Sequence, residues 1–189
     1  MPKIPIEISA RHCHLSQKDA DKLFGTGYVF KKLKDLSQPG EYATKDTITL
    51  KTKAGELSLR VLMPVRSASQ IELAKSDAYK LKINPPVRIS GDLAGTLGGN
   101  LVGSIGTIRL KQGIIIAQRH FHCSPDKAKL FGVRKGQKIS VKTTGERALT
   151  FHNVIVRVSD KYGCSMHIDV DEGNAGLVGG VCGFGVIVK

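Results

Sequence analysis

Ile6-Glu-Ile-Ser-Ala-Arg-His-Cys-His-Leu-Ser16 and Ile114-Ile-Ile-Ala-Gln-Arg-His-Phe-His-Cys-Ser124 are two versions of one pattern. Arg11 matches Arg119, His12 matches His120 and His14 matches His122. Both copies run on into a short polar stretch that ends Leu23-Phe24-Gly25 and Leu130-Phe131-Gly132, with one residue of slippage. Self-similarity of this kind marks two related halves. Each copy reads as a β-branched strand followed by a short helix. Ser16 and Ser124 are suitable N-caps, Pro125 suits a first helical position, and Gly25 and Gly132 suit a C-terminal stop.

Away from the repeat, Thr47–Lys51, Glu56–Val61, Pro86–Ser90, Gly106–Leu110, Gln137–Thr143, His152–Val158 and Gly185–Lys189 read as strands, separated by turns containing Gly, Pro or Asn. Many short strands with few helices predict a mainly β protein built of small barrels with short capping helices. The 21 glycines and the absence of Trp agree. Residues 25–46 are rich in lysine and turn formers, with Ser37-Gln38-Pro39-Gly40 at the tip. Most such connections simply cross the surface, which makes a plain loop the first expectation.

The chain has 189 residues, enough for one large domain or two small ones. It has no apolar run of the roughly 18 residues that a membrane span needs, and its first residues lack the apolar core of a signal peptide. A cytoplasmic protein is expected, with Cys13, Cys123, Cys164 and Cys182 as reduced thiols, none of them in a C-x-x-C pair. An excess of 29 Lys and Arg over 16 Asp and Glu gives +13 and points to anionic partners. Nucleic acid is disfavoured, because aromatic residues make up only 5% and no nucleic-acid-binding motif is present. A membrane surface is disfavoured because the basic residues are scattered rather than gathered on one amphipathic helix. Small anionic ligands remain.

On a strand, residues i and i+2 face the same way about 6.5–7 Å apart. Each His-x-His therefore presents two imidazoles on one face and turns its middle residue away. Cys13 and, by the same alternation, Cys123 point away from the imidazoles and are not expected to be ligands or nucleophiles. Further donors come from His167, at the head of His167-Ile-Asp-Val-Asp-Glu-Gly-Asn174, and from Glu72, which follows the largely apolar Val61–Val65 and Arg66. Five histidines and one glutamate give two zinc ions three protein ligands each, with an open position on each for water or substrate. Imidazole-rich ligation disfavours magnesium and calcium, while ligand type equally admits cobalt, nickel or iron. His152 has no partner spacing and is assigned to structure. Arg66 offers the planar donor fork that fits a phosphate. The run from Gly173 to Gly185 lacks the spacing and the lysine of a phosphate loop, and predicts tight turns and close backbone packing.

These residues, taken with Gln38-Pro-Gly40, Pro64-Val-Arg66, Gln70-Ile-Glu72, Pro85-Pro-Val-Arg-Ile-Ser-Gly-Asp92, Arg119-His-Phe-His-Cys-Ser-Pro125 and His167-Ile-Asp-Val-Asp-Glu-Gly-Asn-Ala175, make the chain resemble the PduL-type phosphate propanoyltransferases, or phosphotransacylases. The resemblance implies acyl transfer between coenzyme A and inorganic phosphate at a two-zinc site shared by two β-barrels. Carried over by motif, His12, His14, Glu72, His120, His122 and His167 are the zinc ligands, and Arg66 holds phosphate. The resemblance further implies that residues 1–10 with 118–189 form one barrel and residues 11–117 the other, with the 25–46 excursion lying over the active site as a lid rather than as a plain loop. The chain departs from the family pattern at Met63, Val170, Gly173 and Gly176. Some relatives carry an N-terminal extension that targets a microcompartment; the short segment before the first strand here favours a free cytoplasmic enzyme. Coenzyme A, phosphate and acyl phosphate are then the expected partners, a homo-oligomer stays open, and nucleic acid and membrane are not expected. The ligand set alone equally permits a two-zinc ester or thioester hydrolase, or a zinc-stabilised binding module without catalysis.

Overall fold

The computed structural model describes residues 2–176 and 182–188. In chain order the elements are β1 (Ile4–Ser9), β2 (His12–Ser16), α1 (Gln17–Phe24), β3 (Lys32–Asp35), β4 (Tyr42–Thr52), β5 (Gly55–Arg66), β6 (Gln70–Leu73), α2 (Lys75–Lys80), β7 (Val87–Arg88), β8 (Leu97–Val102), β9 (Thr107–Ala117), β10 (His120–Cys123), α3 (Pro125–Phe131), β11 (Lys138–Thr143), β12 (Thr150–Val158), β13 (Ser165–Asp169), α4 (Val170–Ala175) and β14 (Cys182–Val188). The chain is mainly β, as its short strands and scarce helices predict. No helix among the described residues is long and apolar enough to cross a membrane.

Two compact units result. Unit 1 comprises Met1–Ala10, Ser37–Pro39 and Gln118–Lys189, and unit 2 comprises Arg11–Leu36 and Gly40–Ala117. In unit 1 the strands close in the order β1-β13-β10-β12-β11-β14, because β14 pairs back onto β1. In unit 2 the ring is β2-β5-β4-β8-β9-β6, closed by the β6–β9 and β2–β6 ladders, with β3 added on β4 and β7 on β9. Closure leaves neither six-stranded ring with a free edge.

The rings correspond strand by strand. β2 is parallel to β5 and antiparallel to β6, while β10 is parallel to β12 and antiparallel to β13. β9 lies parallel to β6 as β1 lies parallel to β13. The repeat in the sequence is thus a repeat in topology, with one exchange. β1 leads into β2 of unit 2 but pairs in unit 1, and β9 leads into β10 of unit 1 but pairs in unit 2.

Each ring encloses its own apolar core. Cys13, Leu15, Leu59, Val61, Ile71 and Ile114 belong to that of unit 2, and Ile4, Ile6, Phe121, Cys123, Val141 and Met166 to that of unit 1. The predicted caps are present: Ser16 Oγ accepts from Asp19 N–H, and Ser124 Oγ from Lys127 N–H. Gly132 ends α3 in the left-handed conformation, at φ 64°.

Pro86–Ser90 yields only the two-residue β7. Pro86 has no N–H and contributes a carbonyl to Ile116 N–H instead, and a turn from Ile89 O to Asp92 N–H ends the strand. The predicted strand Gly106–Leu110 and the apolar run Ile114–Ala117 join as β9 through Gly113, whose φ of +128° suits glycine and whose missing Cβ leaves room for the Ser69 carbonyl. Of the glycine-rich run expected to pack closely, residues 177–181 lie outside the described residues. Gly173 and Gly185 do pack closely: a Cβ on Gly173 would lie 2.5 Å from Ile8 Cδ1, and one on Gly185 2.6 Å from Val141 Cγ1.

Candidate metal centres

Strand alternation decides which side chains of β2 and β10 meet. Cys13 and Leu15 point into the unit 2 core, and Phe121 and Cys123 into that of unit 1, all at 0% exposure. The histidines take the other face in both strands. Ring centroids of His12 and His14 are 5.0 Å apart, and those of His120 and His122 4.5 Å.

Strand register then supplies a third donor to each pair. In the β2–β6 ladder His12 lies opposite Glu72, and in the β10–β13 ladder His120 lies opposite His167. Glu72 and His167 are therefore equivalent positions of the two rings. The donor atoms of His12, His14 and Glu72 all lie within 4.8 Å of one another, as do those of His120, His122 and His167. Ligands of a tetrahedral zinc with bonds near 2.0–2.1 Å stand about 3.4 Å apart, so small rotamer adjustments bring either set into range.

In unit 2 one carboxylate oxygen receives two side-chain donors. Glu72 Oε1 accepts from Gln70 Nε2 and, at 3.0 Å, from Ser90 Oγ, while Oε2 faces His12 Nε2 at 3.6 Å. That arrangement directs Oε2 towards the imidazoles. Ser90 Oγ also accepts from Gln70 Nε2 at 2.8 Å and from Arg66 Nη1 at 3.2 Å, and Arg66 Nη2 reaches Glu41 Oε1 at 3.2 Å. Arg66 thus lies one hydroxyl away from Glu72. Burial first, then the neighbouring His12 and Arg66, lowers the pKa of His14 well below the usual histidine range, against an opposing pull from Glu72. Its buried Nδ1 has no hydrogen-bond partner among the described residues. A buried, neutral imidazole with an unused nitrogen suits a metal ligand.

In unit 1, His120 Nδ1 lies 2.9 Å from the Gln118 carbonyl. A carbonyl only accepts, so Nδ1 carries a proton, and Nε2 is the nitrogen left for a metal. His122 stacks on Tyr162, with ring centroids 4.1 Å apart. His167 Nε2 lies 3.0 Å from Ser165 Oγ and 3.3 Å from Gln38 Nε2, and Nδ1 lies 4.0 Å from Glu7 Oε2. Gln38 is buried, and its Oε1 accepts from Gly163 N–H at 3.2 Å. The tip of the excursion therefore belongs to unit 1, although the strand that follows it pairs in unit 2.

The nominated donors fall into two clusters of three, and Arg66 lies beside the unit 2 cluster. His152 stands outside both, with Nδ1 2.8 Å from Ser140 Oγ. Burial pushes the Cys13 thiol far up; burial, then the neighbouring Cys164, pushes Cys123 up to about 11. Neither is a nucleophile at neutral pH. Gln70 and Ser90, which donate to Glu72 Oε1, carried no role in the sequence reading. Gln70 had a signal, being two residues before Glu72 and so on the same strand face, whereas Ser90 had no local one.

A family model described as Phosphate propanoyltransferase matches residues 5–179. The chain belongs to the phosphate propanoyltransferase family. It is 47% identical to the phosphate propanoyltransferase of Priestia megaterium over 93% of its length and 81% of the relative's. Against that of Clostridioides difficile the figures are 42%, 98% and 88%, and against that of Citrobacter freundii 46%, 91% and 82%. Membership makes the chain an acyltransferase, as the motif resemblance implied, with phosphotransacylase activity. The matched span contains all six nominated donors and Arg66.

Proposed function

We propose that this chain reversibly transfers a short acyl group, acetyl or propanoyl, between coenzyme A and inorganic phosphate. His12, His14 and Glu72 hold one zinc ion, His120, His122 and His167 hold a second, and Arg66 holds phosphate. The observation that carries this reading is the pair of three-donor clusters at equivalent positions of two rings in a phosphate propanoyltransferase chain. Three donors per metal with a vacancy is the catalytic rather than the structural pattern.

When bound, the two ions supply Lewis acidity that polarises the thioester carbonyl and helps neutralise phosphate. Arg66 contributes the donor fork, with its plane set between Ser90 and Glu41. A phosphate oxygen forms the new bond to the acyl carbon, the carbon–sulfur bond breaks, and the sulfur leaves with the bonding pair as coenzyme A thiolate. Phosphate is already ionised near neutral pH, so alignment and charge neutralisation matter more than a strong base. No enzyme nucleophile is needed, which agrees with Cys13 and Cys123 being turned into the cores. A net charge of +13 favours the approach of phosphate, acyl phosphate and coenzyme A, all anions.

The test is thiol release from acetyl-CoA and propanoyl-CoA with and without phosphate, together with metal analysis of wild type and His120→Ala. Phosphate-dependent release, two zinc ions per chain, and loss of one ion with most activity in His120→Ala are expected. Turnover indifferent to phosphate would establish the hydrolase instead, and full activity of a metal-free protein would end the zinc assignment.

A further inference from the structure

Outside the donor sets, one arrangement occurs in both units. Arg11 and Arg119 immediately precede His12 and His120. In unit 2, Arg11 Nε donates to the Ser58 carbonyl on β5 at 3.1 Å, and Nη1 to Asp77 Oδ1 at 3.1 Å. In unit 1, Arg119 Nη1 donates to the His152 carbonyl on β12 at 3.1 Å, and Nε to Glu172 Oε1 at 2.6 Å. β5 and β12 are the parallel neighbours of the two His-x-His strands. Asp77 and Glu172 lie on α2 and α4, the helices that follow the antiparallel neighbours, at equal distance beyond the third donor (72 to 77 and 167 to 172).

The match extends to the far side of each carboxylate. Asp77 Oδ2 accepts from Ala74 N–H at 3.4 Å, and Glu172 Oε2 from Asp169 N–H at 3.1 Å. Each acid thus ties its helix start with one oxygen and the arginine with the other. The two sets differ in detail: Asp against Glu, Ala against Asp at the N-cap, and Nη1 against Nε as donor to the acid. The same linkage made from different atoms points to a requirement on the linkage itself. Its place in the chain supplies the reason. The chain passes between units at Ala10–Arg11 and at Ala117–Gln118, so each His-x-His strand begins just after the chain has left the unit in which the preceding strand pairs.

We infer that Arg11 and Arg119 are positioning residues, each fixing its His-x-His strand to the parallel neighbour and to the helix that follows the antiparallel neighbour, so that three donors stay at ligating distance. The inference rests on the reading of the triads as metal sites. A guanidinium suits the task, because its planar fork binds two acceptors in fixed directions where an ammonium binds one. The carboxylates are largely shielded, with side-chain exposures of 5% for Asp77 and 18% for Glu172, so these pairs are screened less than ordinary surface pairs.

The experiment records imidazole proton–nitrogen NMR spectra of the metal-free protein and then titrates with Co²⁺, for wild type, Arg11→Gln, Arg119→Gln, Arg119→Lys and Arg119→Gln/Glu172→Gln. Arg119→Gln is expected to move the signals of His120, His122 and His167 and leave those of His12 and His14 in place, and Arg11→Gln to do the reverse. Co²⁺ affinity should fall about tenfold to a hundredfold at the affected triad alone, as for other lost supports of a metal ligand. Arg119→Lys should fall between wild type and Arg119→Gln. The double variant should be no worse than Arg119→Gln, since both remove one contact. Unmoved imidazole signals, or equal changes in both triads beside a lower melting temperature, would overturn the positioning role. Should wild type take up no Co²⁺, the metal reading fails while the imidazole spectra still decide the arginines.

Discussion

Replacing Arg66 by lysine keeps the charge and removes the fork. In the structure the guanidinium uses two nitrogens, Nη1 towards Ser90 Oγ and Nη2 towards Glu41 Oε1, each at 3.2 Å. These contacts fix its plane, and a lysine ammonium on a flexible stem reproduces at most one of them. A hydrogen bond involving a charged group contributes about 1.5–3 kcal/mol. At about 1.4 kcal/mol per tenfold, losing one such bond to phosphate weakens its binding by about 10- to 150-fold. The side chain is 33% exposed, so screening argues for the lower part of that range, about 10- to 30-fold. The assay is steady-state thiol release with phosphate varied at saturating acyl-CoA, then acyl-CoA varied at saturating phosphate. KM for phosphate should rise by that factor, while KM for acyl-CoA and bound zinc stay at wild-type values. An unchanged KM for phosphate would refute the assignment. An equal rise in both KM values would show that Arg66 shapes the site generally rather than gripping phosphate.

Phe121→Ala removes a fully buried ring that packs edge-on against Phe131 in unit 1, and should destabilise that unit by about 3–5 kcal/mol in urea unfolding. Gly98→Ala places a Cβ 2.2 Å from the Leu110 carbonyl oxygen and 2.6 Å from that of Lys111, backbone atoms that cannot swing aside; a loss of about 1–3 kcal/mol is expected in the same assay. With its thiol raised to about 11, Cys123 at pH 8 is ionised in about one molecule in a thousand, and Cys13 in fewer. Iodoacetamide should leave both unlabelled in the folded protein, and raising the pH should promote labelling of Cys123 before Cys13; peptide mass spectrometry reads both.

The helices that start at Ser16 and Ser124 were legible because capping is local: a hydroxyl, the next few N–H groups and a glycine stop suffice. Asp169-Val-Asp-Glu172 carries the N-cap and N3 spacing of a capping box as well, and that signal for α4 was there to be found. α2 gave none, since Ala74 at its N-cap has no side-chain oxygen to offer. β6 and β8 escaped for different reasons: Gln70-Ile-Glu-Leu73 alternates, but over only four residues with a single β-branched one, while Leu97-Gly-Gly-Asn-Leu-Val102 shows no alternation and carries two glycines.

The sequence by itself determined the two His-x-His pairs as units. The two-residue period of a strand aims both imidazoles one way whatever surrounds them, and Cys13 and Phe121 necessarily point the other way. It also determined the family, through several motifs in order, and the twofold character of the chain. Only the tertiary structure decided which residues complete each pair. Glu72 meets His12 and His167 meets His120 through ladder register, a long-range choice fixed by the cores that each closed ring must fill and not by any spacing along the chain. The same holds for Ser90 on Glu72, for Gln38 on His167, and for the acids that Arg11 and Arg119 reach. A hydrogen-bond partner brought from a distant segment leaves no periodic trace in the sequence.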